Sequence, residues 1–190
     1  ATPTSVTIAA GTSAVVTVNS PVATQLQVLL PGETAAPGTP SGKTGTPTAS
    51  AAGSAVTVTV NAVDDNWNLV TTATPTVAIT SSDSNATLPA NAALAAGTGT
   101  FTVTFKTAGS RTVTATDQAG SSPLVSGTSA GVTIHAGTAV KLQALLPGET
   151  AAPGTSSGKT GSPSGQTTGT AVTVTVNAVD AYWNLVSSST

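Results

Sequence analysis

The stretch that decides the fold is residues 55–63, Ala-Val-Thr-Val-Thr-Val-Asn-Ala-Val, in which apolar and polar residues alternate. Successive side chains of a β-strand point to opposite faces, so this period of two predicts a strand with one buried and one solvated face. Residues 100–105, Thr-Phe-Thr-Val-Thr-Phe, alternate in the same way. Further strands are predicted at Leu26–Leu30, Thr76–Thr80, Arg111–Thr116 and Val132–His135. No segment carries a sustained helical stripe.

Clusters of Gly, Pro, Asn, Asp and Ser separate these predicted strands. The segment Ala108-Gly109-Ser110 lies between two alternating runs and predicts a hairpin that joins them. Six or seven short strands with turns between them predict an antiparallel β-sandwich. Residues 31–54 interrupt the rhythm with few bulky side chains, and predict an exposed extended loop with turns at 31–32 and 37–38. The alternative is that this long segment lies on a neighbouring unit.

The chain is self-similar over a long distance. The ten residues from Leu30 to Thr39 are repeated from Leu146 to Thr155, 116 residues later, and 34 of the 45 positions in 26–70 are identical in the copy. Such a period predicts a tandem array of single domains. The predicted organisation is the C-terminal strand of a preceding repeat at 1–20, a complete repeat at 21–137 and the N-terminal part of the next repeat at 138–190.

Composition excludes several classes of function. Charged residues make up 6% of the chain and its net charge is −2, so no basic face is available for nucleic acid or an anionic membrane. Cysteine is absent, and thiol chemistry is therefore excluded. No apolar run approaches the roughly 20 residues of a membrane span, so no membrane insertion is expected in this segment. No nucleophile with a base, and no matched pair of carboxylates, is recognisable, so the chain is not expected to be an enzyme.

Three stretches, residues 55–70, 96–117 and 132–142, resemble bacterial immunoglobulin-like repeats of the invasin and intimin kind, which occur in giant surface proteins. The resemblance implies immunoglobulin-like β-sandwiches arranged head to tail, outside the cell, as a stalk that holds an adhesive tip away from the cell. Neighbouring repeats of the same chain are then the expected partners. The low charge, and strand edges not guarded by lysine or proline, are also compatible with a variant of this hypothesis, a self-associating fibre in which other copies are partners in a filament or sheath. Where the family usually carries Asp-x-Asn-Gly-Asn, this chain has Trp67 and Trp183 at the glycine position.

The joint between successive repeats is predicted to be short, because a predicted strand ends at His135 and the next begins soon after. Few linker residues favour a stiff connection over a flexible one. The predicted interface consists of the joint and two charged residues of the long segment: Ala136, Gly137, Thr138, Lys141, Glu33 and Lys43. His135 is interpreted as a polar residue at this junction.

The pattern Asp64-x-Asn66-x-Asn68 has the alternating oxygen ligands that calcium accepts, and a calcium ion is the one cofactor considered. The copy at 180–184 has Tyr182 in place of the middle ligand. The alternative is a turn in which the Asp and Asn side chains cap backbone amides. No other cofactor is predicted.

Two further surface sites are predicted. Trp67 and Trp183 are candidates for stacking on a sugar ring, which would make the chain an adhesive carbohydrate- or receptor-binding module; the alternative is that each plugs the open edge of a sandwich. Asn85 heads an Asn-x-Thr sequence and is a candidate glycosylation site.

Overall fold

The computed structural model describes residues 11, 12, 14 and 21–187. Across these residues it is all-β, which confirms the all-β part of the prediction, and the described part contains no helix. No described segment, therefore, is a helix long and apolar enough to cross a membrane. The predicted tail of a preceding repeat, residues 1–20, falls almost entirely outside the described residues.

We call residues 21–137 the first block and residues 138–187 the second block. The strands of the first block are β1 (Gln25–Leu29), β2 (Glu33–Ala35), β3 (Lys43–Gly45), β4 (Ser50–Ala51), β5 (Ala55–Val63), β6 (Thr76–Ser81), β7 (Ala92–Ala93), β8 (Thr98–Thr104), β9 (Gly109–Arg111), β10 (Val113–Asp117), β11 (Gly127–Thr128) and β12 (Val132–His135). Those of the second block are β13 (Lys141–Leu145), β14 (Glu149–Ala151), β15 (Lys159–Gly161) and β16 (Thr175–Val179).

The first block contains two main antiparallel sheets, with strand orders β1-β5-β8 and β11-β10-β6-β7. A smaller sheet, β4-β12-β9, has β4 parallel to β12. All of these sheets contribute apolar side chains to one core, an arrangement compatible with a sandwich. The core consists of Leu26, Val28, Leu30, Val56, Val58, Val60, Ala62, Val77, Ile79, Leu94, Phe101, Val103, Phe105, Val113, Ala115, Val132 and Ile134.

The alternating pattern of residues 55–63 determines which face of β5 enters this core. Val56, Val58 and Val60 are buried, whereas Thr57 is exposed. Val58 lies opposite Phe101 in the pairing of β5 with β8, so the buried faces of the two strands coincide. A shift of one residue would expose the valines, and hydrophobic burial therefore fixes the register.

The predicted hairpin at 108–110 is wrong. The strands on either side of it, β8 and β10, do not pair: β8 pairs with β5, and β10 pairs with β6. β8 and β10 each have one apolar face. The chain crosses from one sheet to the other between them, so their apolar faces meet across the core and the strands do not lie side by side in one sheet. Gly109 has a φ of 117°, and β9 pairs with β12 on the way.

The segment 31–54 is not a structureless loop. It contains the hairpin β2–β3, which folds back onto its own block, and then β4, which pairs with β12. The Gln27 side-chain amide donates to the Gly42 carbonyl oxygen at 2.8 Å, and the Thr48 amide donates to the Pro31 carbonyl oxygen at 2.7 Å. The segment is therefore part of the body of its own block over most of its length.

The second block repeats the same local structure with a different environment. Lys141 pairs with Val179 just as Gln25 pairs with Val63 in the first block. Its apolar face is nevertheless open: Leu142 is 74% exposed, whereas the corresponding Leu26 is 2% exposed. Among the described residues, the second block contains counterparts only of β1–β3 and β5, so no second sheet covers this face.

Candidate functional site

The two copies of the Asp-x-x-x-Asn turn, at 64–68 and 180–184, form the centre of the candidate site. In the first block the Asp64 Oδ1 atom accepts the backbone amides of Asn66 and Asn68, each at 2.9 Å. The Asn68 side-chain amide donates to Asp64 as well, and this contact is the main reason why the pKa of Asp64 lies below its ordinary value. These bonds are the turn chemistry that the sequence offered as the alternative to a metal site.

A tryptophan occupies the left-handed position of each turn. Trp67 has a φ of 66° and Trp183 a φ of 67°, in the region that normally favours glycine. Each indole lies against a glycine of the β2–β3 or β14–β15 hairpin, Gly42 and Gly158 respectively, where a Cβ atom would overlap the ring. Packing of the ring on the hairpin offsets the cost of the strained backbone.

The second turn, unlike the first, is buried against the neighbouring block. Asn184 is 2% exposed. Its Oδ1 atom accepts the Ala108 amide at 2.8 Å, and its Nδ2 atom donates to the Lys106 carbonyl oxygen at 2.9 Å. One side-chain amide thus bonds to the backbone carbonyl before and the backbone amide after the bend at Thr107. We call the segment Lys106–Ala108 the socket.

Asp180 provides the second polar connection between the blocks. Its Oδ2 atom accepts the Gly137 amide at 2.8 Å and the Asn184 side-chain amide at 2.8 Å. Burial raises the pKa of Asp180, but the hydrogen bonds from Asn184 and Gly137 outweigh that effect and leave its pKa below the ordinary value. The carboxylate is therefore ionised at neutral pH, although the residue is 1% exposed.

A buried aspartate of the first block holds the socket in shape. Asp83 is 3% exposed, and its Oδ2 atom accepts the amides of Lys106 and Thr107 at 2.8 and 2.9 Å. The Thr107 hydroxyl donates to Asp83 Oδ1 at 2.8 Å. Burial opposes ionisation of Asp83, yet these bonds together lower its pKa. The arrangement leaves the Lys106 carbonyl and the Ala108 amide facing the second block.

Two glycines allow the blocks to approach closely. Gly53 of the first block lies against the ring of Tyr182, and Gly154 of the second block lies against Thr107 and Asn85. A Cβ atom at either glycine would overlap the opposing side chain. Gly53 and Gly154, which lie in the long segments of their own blocks, thus both contribute to the contact between the blocks.

Asn85, the predicted glycosylation site, lies in this contact. Its side-chain nitrogen would be 2.7 Å from a Cβ atom at Gly154, so even a methyl group does not fit. The nitrogen that would carry a glycan therefore lies in the contact between the two blocks.

Lys141 interacts within the second block. Its Nζ atom donates to the Ala181 carbonyl oxygen at 2.8 Å and lies 4.2 Å from the centre of the Trp183 ring.

One face of each indole of Trp67 and Trp183 is covered by its glycine, as described above. The two tryptophans therefore pack between turn and hairpin. Only the part of each ring that is not covered in this way is open for stacking on a sugar.

Glu33 and Lys43 were predicted at the interface, but their observed contacts lie inside the first block. They form an ion pair of 2.8 Å that closes the β2–β3 hairpin, and Glu33 also accepts the Leu30 amide at 2.9 Å. Their copies, Glu149 and Lys159, form the same pair at 2.7 Å. The charges stabilise the hairpin, and the joint is built from other groups.

The joint residues named from the sequence have distinct positions. Ala136 and Gly137 are half-buried and Thr138 is exposed. The side chain of His135 is exposed, and its carbonyl oxygen accepts the Ala52 amide at 2.8 Å. Only Gly137 of these four donates a hydrogen bond into the second-block turn within the described part of the chain.

Sequence reasoning missed the socket and its partner Asn184. The signal available was the identity of Asn68 and Asn184 in two turns that differ only at positions 65 and 66 and their copies. A socket made of backbone atoms, however, leaves no mark on residue type. Within the described ranges, no group of three or more His, Cys, Asp or Glu side chains is arranged to hold a metal ion. No family model and no curated protein sequence matches the chain.

Proposed function

We propose that this chain is a structural segment of an extracellular bacterial surface or matrix protein, in which immunoglobulin-like blocks follow one another head to tail as a stalk. The observation that carries the proposal is the docking of Asn184 into the Lys106–Ala108 socket. Residues 136–140 alone separate β12 from β13, so the blocks are joined directly by hydrogen bonds and not by a spacer. A connection of this kind fixes the orientation of each block relative to the next, so an array of such blocks is stiff.

The immunoglobulin-like assignment is supported by topology and by the turn. Crossing of the chain between two antiparallel sheets around one core is typical of Greek-key sandwiches. The left-handed Trp67 occupies the position at which the resembling repeats usually carry glycine, so the turn keeps a backbone that glycine would favour.

Sequence self-similarity supports a series of more than two blocks. The residues Gly11–Ala14, Gly-Thr-Ser-Ala, are repeated at Gly127–Ala130, at the same offset of 116 residues as the rest of the copy. A further block would therefore precede the first one.

A stalk is favoured over an adhesive module because buried side chains of the second block form three hydrogen bonds to the backbone of the first. Trp67, on which sugar stacking depends, is partly covered by Gly42. The groove beside it has a volume of about 150 Å³, which is small compared with ordinary ligand pockets.

The proposal is tested by measuring how rigidly the two blocks are held. The chain has no cysteine, so spin labels attached through Thr102→Cys and Thr175→Cys report one distance between exposed strand positions of the two blocks. We expect a single narrow distance distribution in pulsed electron paramagnetic resonance. Adding Asn184→Ala is expected to broaden it. A broad distribution in the doubly labelled parent would refute a stiff joint and with it the stalk.

A further inference from the structure

The turn at 64–68 in the first block is the copy of the turn at 180–184, which docks into the Lys106–Ala108 socket. In the first block this turn is open to solvent, and we call the side of the block that carries it the front. Asn68 is exposed, whereas Asn184 is 2% exposed. A Cβ atom at Gly38 would meet no atom within 4 Å, whereas one at Gly154 would overlap the socket residue Thr107. Positions 38 and 68 are therefore open in the first block, and their copies are covered in the second.

We infer that this front surface, formed by Gly38, Asp64 and Asn68, is a second docking site whose occupant is the socket of another block of this kind. The inference rests on the proposed function. The chemistry of the occupant follows from the occupied copy: a backbone bend that presents a carbonyl oxygen and, two residues later, an amide hydrogen, held by a buried carboxylate as Asp83 holds the Lys106–Ala108 socket.

The side-chain amide of Asn68 is placed to make both bonds. Asp64 fixes the Asn68 backbone amide at 2.9 Å, as Asp180 fixes that of Asn184 at 2.9 Å. The left-handed tryptophan that precedes each asparagine has the same φ within 1°. The local geometry needed for docking is therefore present before any partner arrives.

The two front surfaces differ at positions that contact the partner. Pro21 occupies the position of Gly137, and proline has no amide hydrogen to donate to the Asp64 carboxylate. Asn66 replaces Tyr182, whose ring fills the space above Gly53. The joint at the front of the first block lacks one hydrogen bond to a carboxylate and one aromatic contact, so it is the weaker of the two joints. The residues at positions 21 and 66, and at their copies 137 and 182, therefore determine the difference in strength between the two joints.

The test inserts a second copy of residues 21–136 between Ser20 and Pro21 of the full chain. The insertion keeps the 116-residue period and places a socket directly before the original first block. Spin labels at Thr102→Cys of the inserted and the original first block report the new joint. Labels at Thr102→Cys of the original first block and Thr175→Cys of the second block report the existing joint.

We expect the new joint to give a docked distance population that Asn68→Ala in the original first block reduces about 30- to 150-fold relative to the undocked population. Asn184→Ala serves as the matched control and is expected to change only the existing joint. Combining Pro21→Gly with Asn66→Tyr in the original first block is expected to raise the docked-to-undocked ratio about tenfold.

Each outcome decides one statement. A broad distribution at the new joint that Asn68→Ala leaves unchanged would overturn the second docking site, provided that the existing joint is narrow. If both joints are broad, the proposed function is wrong as well. If Pro21→Gly with Asn66→Tyr fails to raise the docked population, the two positions do not set joint strength and that part of the inference is overturned.

Discussion

Asn184→Ala is the change that most directly tests how the two blocks are held together. The substitution removes the side-chain amide that accepts from Ala108 and donates to Lys106 across the junction. It leaves the backbone bond from the Asn184 amide to Asp180 in place. The first block and its core are untouched.

The expected magnitude follows from the two buried hydrogen bonds that are lost across the junction. The third bond lost, from Asn184 Nδ2 to Asp180, lies within the turn and has its counterpart in the first block. Each such bond contributes about 1 kcal/mol net, and a buried donor or acceptor left without a partner costs about 1 kcal/mol or more in addition. Water entering the space left by the side chain recovers part of this cost. We therefore expect docking to weaken by about 2–3 kcal/mol, which lowers the docking equilibrium constant about 30- to 150-fold.

Hydrogen exchange of individual amides measures this quantity. The Ala108 and Gly137 amides donate across the junction, so their exchange reports undocking without unfolding of the first block. Both amides should exchange about 30- to 150-fold faster in Asn184→Ala. The amide of Val58, in the β5–β8 pairing of the core, should be unaffected.

Asn68→Ala is the matched control. Asn68 occupies the same position in the same turn and makes the same contact with its aspartate, but it is exposed. Asn68→Ala removes the side-chain contact within the turn but leaves the junction intact. Any effect it has on exchange measures what loss of that contact alone does. Equal acceleration of the Ala108 amide by both variants, or by neither, would refute the reasoning.

Three further predictions follow. Asp83→Asn should lower the free energy of unfolding by about 2–3 kcal/mol, read from the urea midpoint, because a neutral amide cannot accept all the amides that the carboxylate accepts; an unchanged midpoint would contradict this. The pKa of Asp180 is lowered in the folded state, so the stabilisation of the junction by this carboxylate is complete above the ordinary value of 3.8 and is lost as pH falls through the lower folded value. Exchange of the Gly137 amide, corrected for its intrinsic pH dependence, should accelerate only in that lower pH range. Leu26→Ala should cost about 3 kcal/mol and Leu142→Ala less than about 0.5 kcal/mol in thermal unfolding, and equal costs would mean that the second-block face is covered.

The all-β class could be predicted because it depends on local periodicity. Alternation in 55–63 and 100–105 is a property of neighbouring residues, and it identifies which side chains face the core. The pairing of strands depends on contacts distant in sequence. The run before Gly109 and the run after it look like the arms of a hairpin, and only the shared core between two sheets shows why they separate.

The candidate site was predictable to a smaller extent for the same reason. The turn at Asp64 could be anticipated from its Asp and Asn spacing. The socket that receives Asn184 could not, because its bonding groups are the backbone carbonyl of Lys106 and the backbone amide of Ala108. Glu33 and Lys43 illustrate the opposite error, since charged residues in a long segment suggest a contact surface but close a local hairpin here.

The few charges of this chain have a common structural use that explains how the joint works. Of its seven acidic residues, six accept hydrogen bonds from backbone amides: Glu33, Asp64, Asp83, Asp117, Glu149 and Asp180. The carboxylates thus fix turns and loops, and no ion pair joins the two blocks within the described residues. The groups that cross the junction are a neutral amide and backbone dipoles, with one buried carboxylate facing a backbone amide. Because screening by salt acts mainly on exposed charges, the strength of such a joint depends on hydrogen-bond geometry and hardly on ionic strength.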